Sequence, residues 1–251
     1  MPLKRQAELK ARGLICLVLF FVLSGRITIR GEDPDYRKVF GDDWNKAQEF
    51  VHGNEAWMKR LSELTGISYS EAVSVVFPEL IRYSALRDRI EVSLLQTLYI
   101  NLGEEYADFS TGYFQMKPSF AEAVHYNSHF LRGRLRNHFR KQPEKNIPKE
   151  FRRAIVEDMQ KPWMQFIYLA AFIRICEARF DLSDLGKEER IRFLATAYNY
   201  SFLKSYEEII SMTGGRYFTA GTGNGELFPY SDISLYWFRL NRGDVMEPGM
   251  P

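Results

Sequence analysis

The sequence predicts a mainly α-helical protein. Apolar residues recur at helical spacing over long stretches, glycine and proline fall near the ends of these stretches, and no series of alternating strands is found. The 251 residues are 45% hydrophobic and 26% charged, which is typical of a globular protein. We expect one helical domain over residues 44–241, in which the Gly- and Thr-rich stretch 214–225 forms a loop or small hairpin.

The elements follow in chain order. Apolar spacing predicts helices over residues 44–64, 69–77, 79–86, 88–102, 118–127, 163–180 and 187–200, with a further one ending near residue 212. Pro78 is expected to break the second helical stretch, because proline removes a backbone hydrogen bond from a helix interior. Residues 132–153 are basic and contain two prolines, so a surface connection is expected there, and residues 242–251 are expected to be a flexible tail.

The first 25 residues indicate export. Four Lys or Arg side chains precede the short apolar run GLICLVLFFVLSG, which is the pattern of a secretory signal peptide. The run is shorter than the ~20 residues that usually span a bilayer, but an uncleaved N-terminal anchor is the alternative. A buried core segment is the less favoured interpretation of residues 1–25. We expect residues 26–43 to be a linker.

Charge and cysteine content exclude several classes of function. The formal net charge of +2 gives no global basic field for nucleic acid. Cys16 and Cys176 have no zinc-site spacing, and no dinucleotide or phosphate-loop fingerprint is present. We therefore expect no metal, no cofactor and no nucleic-acid partner.

Three short motifs carry the functional signal. Glu79 follows the proline in a helical stretch, the run GYFQMKP spans 112–118, and Ala-Tyr-Asn spans 197–199. Gln115 is the conspicuous member, because an amide among apolar neighbours costs free energy unless a structural partner or a ligand bonds to it. The sequence predicts a ligand for it.

This order resembles the lysozyme-like lytic transglycosylases, the superfamily that also contains goose-type lysozymes. Members place a glutamate at a helix end, then Gly-Leu-Met-Gln with two residues between the glutamine and a proline, then Ala-Tyr-Asn. The likeness covers about residues 65–205. It departs from the family directly after the glutamate, where a serine is usual and this chain has Leu80, with Ser84 the nearest serine.

The resemblance implies a lysozyme-like fold and a lyase that cleaves the MurNAc–GlcNAc β-1,4 bond of peptidoglycan with formation of a 1,6-anhydro ring. Glu79 would be the catalytic residue, acting first as acid and then as base. It also implies a set of substrate-binding residues: Ser110, Tyr113, Gln115, Tyr198, Asn199 and Tyr230.

Two alternatives stay open. Asp108 is a candidate second carboxylate, because goose-type lysozymes carry an aspartate in the corresponding loop and hydrolyse with water. The second alternative is a non-catalytic scaffold that binds glycan, because Leu80 stands where the family usually has a serine.

The expected partners follow from the same resemblance. They are peptidoglycan glycan strands and, as a further expectation, an envelope-spanning protein complex, with membrane contact only through the N-terminus. The expected location is the periplasm or cell envelope, with the inner membrane as the site of any anchor.

Overall fold

Helices make up most of the computed structural model, which describes residues 34–85, 90–140, 148–219 and 225–241. The mainly α-helical class is therefore confirmed. In chain order the elements are α1 (Tyr36–Thr65), α2 (Tyr69–Ala85), α3 (Ile90–Leu102), α4 (Pro118–Tyr126), a 3₁₀ turn (Ser128–Phe130), α5 (Gly133–Arg140), α6 (Pro148–Met159), α7 (Pro162–Arg179), α8 (Lys187–Asn199), α9 (Tyr206–Met212), β1 (Arg216–Phe218), β2 (Phe228–Pro229) and α10 (Tyr230–Leu240).

Two helices form the centre of the core. Helix α7 is mostly apolar, and eleven of its eighteen residues are buried, as expected for a helix packed against several others. Helix α2 is buried continuously from Ala72 to Ile81 and packs most extensively against α1 and α10. The site described below lies on α2, so its backbone is held from both sides.

The small hairpin joins β1 to β2, which pair antiparallel, and Phe218 lies opposite Phe228. Both phenylalanines are buried against Phe40 of α1, with ring centroids 5.9 and 5.5 Å away. The hairpin is thus fixed to the first helix rather than projecting from the surface.

The predicted linker 26–43 is wrong over its last eight residues, because α1 begins at Tyr36 and the compact unit begins there too. Tyr36 and Phe40 are buried one helical turn apart, and Gly41 kinks the helix with φ 49°. The polar neighbours of these two rings suggested a linker, but their packing partners are the hairpin and α10, far along the chain.

The predicted break at Pro78 is also wrong, since α2 runs through it without interruption. A proline inside a helix costs ~3 kcal/mol. Burial of one large aliphatic or aromatic side chain contributes ~1.5–3 kcal/mol, and Phe77, Leu80 and Ile81 are all 3% exposed or less. Packing therefore outweighs the lost backbone hydrogen bond, and Glu79 lies inside the helix rather than at its end.

The basic segment 132–153 is not only a surface connection, because α5 and α6 occupy most of its described part. Leu135 and Phe139 are buried on α5, and Phe151 and Ile155 are buried on α6, each pair four residues apart. Pro148 opens α6, a position at which the missing N–H of proline costs nothing.

Several predictions fall on residues outside the described ranges: the segment 1–25, the tail 242–251 and the start of the predicted helix at Asp88. Within the described ranges, none of the helices combines the length and the apolar character needed to cross a membrane.

Candidate functional site

Glu79 is a buried carboxylate in the middle of α2, with 3% of its surface exposed. Arg82, one turn later, donates from Nη1 to both carboxylate oxygens at 2.9 and 2.8 Å. Sequence reasoning missed Arg82, although a glutamate and an arginine three residues apart on a helix are neighbours.

Burial raises the pKa of Glu79 to about 7, because removal from water penalises the charged form. The charge and the hydrogen bond of Arg82 oppose this rise, and so does the nearby hydroxyl of Tyr230. The result is a carboxyl group that can hold or release a proton close to neutral pH, which is the property needed for general acid–base chemistry.

Arg82 connects the glutamate to the hairpin. Its guanidinium carbon lies 4.7 Å from the centre of the Phe218 ring, and its side chain is 27% exposed. A cation over an aromatic face is attracted to it, so β1 helps to hold the arginine beside Glu79.

The residues after Glu79 do not supply the serine of the resembling family. Leu80 is buried in the core, and the hydroxyl of Ser84 donates to the Ile81 carbonyl at 2.8 Å and lies 3.0 Å from a carboxylate oxygen of Asp43 on α1. Arg82, and not a serine, is thus the polar side chain of α2 that bonds to the glutamate.

The GYFQMKP motif forms a tight turn between Thr111 and Met116, whose backbones bond to each other at 2.9 and 3.1 Å. Gly112 has φ 70° and Gln115 has φ 46°, so both lie in the left-handed region. Gln115 is the only described residue other than glycine there, which is unusual and marks a backbone that the surroundings hold in place.

Gln165 of α7 is the side chain that holds this turn. Like Arg82, it is not among the site residues predicted from the sequence. Its amide is 1% exposed, accepts from the Phe114 N–H at 3.0 Å and donates to the carbonyls of Thr111 and Met159 at 3.0 and 2.6 Å. The sequence does contain an indication of this role, because Gln165 is a single amide in an apolar helix, just as Gln115 is a single amide among apolar neighbours.

Gln115 has a local partner for half of its amide. Its Nε2 donates to the carbonyl of Gly112 at 2.8 Å. Its Oε1 has no hydrogen-bond partner among the residues that the structure describes, and the side chain lines the same cavity as Glu79. The amide oxygen is therefore available to a ligand.

The Ala-Tyr-Asn motif ends α8 beside this turn. The hydroxyl of Tyr198 donates to the carbonyl of Phe114 at 2.7 Å, so it ties α8 to the turn. Asn199 is the exposed last residue of α8, and both side chains face the cavity of Glu79.

These side chains line a cavity of about 90 Å³, which opens next to a larger one of about 390 Å³. Four residues line both: Lys117, Phe120, Tyr198 and Asn199. The small cavity is lined by Glu79, Arg82, Ser110, Gln115 and Met116 in addition. Five of the predicted site residues, Glu79, Ser110, Gln115, Tyr198 and Asn199, are thus brought together.

The other predicted site residues, Tyr113, Tyr230 and Asp108, do not line the small cavity. Tyr113 packs against Phe50 and Tyr83, with ring centroids 4.2 and 4.4 Å away. Tyr230 is buried behind Glu79 and donates to the Val75 carbonyl at 2.9 Å. Its position suits a group that tunes the glutamate rather than one that contacts a sugar.

Asp108 lines the larger cavity but not the small one. One of its oxygens lies 3.2 Å from Lys117 Nζ, and the other accepts from the Ser119 N–H at 3.3 Å. It therefore caps the start of α4 in this structure.

The raised pKa of Glu79 predicts how stability depends on pH. Between pH 4.5 and about 7 the folded chain keeps a proton on Glu79 that the unfolded chain releases, so the free energy of unfolding falls as pH rises. Between pH 4 and 8, the native chain is therefore expected to lose up to about 3 kcal/mol of unfolding free energy through Glu79. The variant Glu79→Gln lacks this loss, so the difference in unfolding free energy between the variant and the native chain should shift by that amount in favour of the variant. Denaturant unfolding of both proteins across this pH range measures the difference. If the two plots of unfolding free energy against pH were parallel, the pKa of Glu79 would not be raised.

No protein-family model, curated protein or solved structure matches this chain.

Proposed function

We propose that the chain is a peptidoglycan lytic transglycosylase of lysozyme-like fold, with Glu79 as its catalytic acid and base. The observation that carries the proposal is the convergence of three motifs, far apart in the sequence, on one cavity: Glu79, Gln115 and the Tyr198–Asn199 pair. A mainly helical fold is compatible with this function, but function rests on the site rather than on the fold.

The first step needs a proton donor. Cleavage of a glycosidic bond proceeds through an oxocarbenium-like transition state, and the leaving oxygen must be protonated. Glu79, with its pKa raised to about 7, holds that proton near neutral pH and delivers it to the oxygen between the two sugars. The C1–O bond breaks, and positive charge develops at C1 of the muramic acid ring.

The second step uses the same carboxylate as base. Glu79 takes the proton from the C6 hydroxyl of that sugar, and the C6 oxygen bonds to C1 to close the 1,6-anhydro ring. The proton given in the first step is thereby recovered, and neither water nor a second carboxylate takes part. Arg82, which bonds to both oxygens of Glu79, stabilises the carboxylate between the two steps.

Substrate placement follows from the two cavities. The small cavity is too narrow for a sugar, since ligand sites usually occupy ~300–1,000 Å³, while the adjoining cavity of about 390 Å³ is in that range. We place the glycan in the larger cavity, with the scissile bond at its boundary with the small one. Gln115 Oε1 and the Asn199 amide would bond to the sugar there.

The proposed setting is the bacterial cell envelope. Export, an N-terminal signal or inner-membrane anchor at 1–25, and work beside an envelope-spanning complex all rest on the sequence. In that setting the enzyme would open the glycan mesh locally.

The test is release of soluble fragments from purified peptidoglycan, followed by mass spectrometry, with co-sedimentation as the measure of binding. We expect the native chain to bind the insoluble glycan and to release muropeptides. Binding without release would refute the enzyme and favour a glycan-binding scaffold.

A further inference from the structure

A groove of about 910 Å³ lies away from Glu79, between the end of α1, the start of α5 and the end of α7. Its charged lining consists of Glu63, Arg132, Arg134, Arg136, Arg174 and Glu177, together with His129. Its lining includes none of the residues around the Glu79 cavity.

Two of these charges are already compensated. Arg174 lies 2.7 Å from Glu177 and donates to the carbonyls of Thr65 and Gly66. Glu177 is also held by Arg190 at 2.6 Å. The other charged side chains that line the groove are one glutamate, Glu63, and three arginines, Arg132, Arg134 and Arg136.

Arg132, Arg134 and Arg136 are exposed, and none of them makes a side-chain hydrogen bond or ion pair within the described part of the chain. Arg132 directly precedes α5, and Arg134 and Arg136 lie in the first turn of that helix. Helix α5 also lacks an acidic residue in its first turn, although a helix N-terminus favours negative charge. Within the described part of the chain, these three cations therefore have no anionic partner.

The shape of the groove narrows the class of partner. A bilayer surface would favour a patch of exposed apolar side chains, whereas this site is concave and Leu64, 38% exposed, is the large apolar side chain exposed in its described lining. Arginine forks suit phosphate oxygens, and a groove of this volume holds far more than one phosphate ion.

We propose that this groove binds a linear polymer of phosphate groups without nucleobases, through Arg132, Arg134 and Arg136. The inference does not depend on glycan cleavage, because it uses a different set of residues.

The test is a titration of the full chain with a linear polyphosphate, in which fluorescence anisotropy measures binding at several salt concentrations. Three phosphate contacts predict a slope of log affinity against log salt of about −2. The triple variant Arg132→Gln, Arg134→Gln, Arg136→Gln is expected to lose at least tenfold in affinity. The control triple variant Lys149→Gln, Arg153→Gln, Arg216→Gln removes the same charge from exposed positions outside the groove and should bind within about twofold of the native chain.

Three results would overturn the proposal. Equal losses in both triple variants would mean general electrostatic attraction rather than a site. Tighter binding of a thymidine oligonucleotide of equal phosphate count would point to single-stranded nucleic acid. Binding to phosphatidylcholine–phosphatidylglycerol vesicles that is lost only in the first triple variant, without polyphosphate binding, would point to a membrane surface.

Discussion

Replacing Glu79 by glutamine is expected to lower the rate of glycan cleavage by about 10³-fold or more, since general acid–base catalysis contributes ~10²–10⁴-fold and one residue performs both proton transfers. Glutamine keeps the shape of the side chain but has no proton to donate at neutral pH. Fragment release per minute from purified peptidoglycan measures the loss, and circular dichroism checks that the variant is folded.

Glu71→Gln is the matched control. Glu71 lies on the same helix, its pKa is also raised by burial, and it is paired with an arginine, Arg190, at 2.6 Å. It lines a different cavity, so we expect its replacement to leave the cleavage rate within about tenfold. Equal losses in the two variants would mean that the glutamates of α2 matter for folding only, and the catalytic assignment would fail.

Gly112→Ala should give the largest loss of stability, about 2–5 kcal/mol. Alanine at φ 70° costs ~1–2 kcal/mol. Its Cβ would also overlap Nε2 of Gln165 and lie 2.6 Å from Cδ, so the amide that holds the turn must move. A buried polar group that loses its partners costs ~1–3 kcal/mol more. Denaturant unfolding measures the sum.

Gly133→Ala separates the two causes. Gly133 has φ 55°, but a Cβ there would meet nothing within 4 Å. We expect only the backbone cost, ~1–2 kcal/mol. If Gly112→Ala were no more destabilising than Gly133→Ala, Gln165 would not be the clamp of the turn.

Much of the fold could be predicted from local sequence. The helices Pro162–Arg179 and Lys187–Asn199 lie within one residue of their expected bounds, because long apolar spacing and a proline at the start are local signals. Tyr36–Asp43 and the segment 132–153 were mispredicted because their apolar residues are few and their packing partners lie far along the chain. Pro78 shows the same limit, since its local penalty is smaller than the burial energy of its helix.

The site divides in the same way. Motifs predicted Glu79, Ser110, Gln115, Tyr198 and Asn199, and these line one cavity. Arg82 and Gln165 carry no motif, and their roles depend on which face of a helix meets a distant turn or ring. The spacing of Glu79 and Arg82 and the lone amide of Gln165 are visible in the sequence, but helical periodicity does not specify these long-range contacts. The structure is therefore needed to assign the two roles.

The central claim is that Glu79 transfers the proton twice and that the sugar's own C6 oxygen, not water, bonds to C1. The most direct test is mass spectrometry of peptidoglycan fragments formed by the native chain in ¹⁸O-labelled water. The account predicts 1,6-anhydro ends without label. Reducing ends that carry one ¹⁸O would contradict it, and would make Asp108→Asn the next variant to examine.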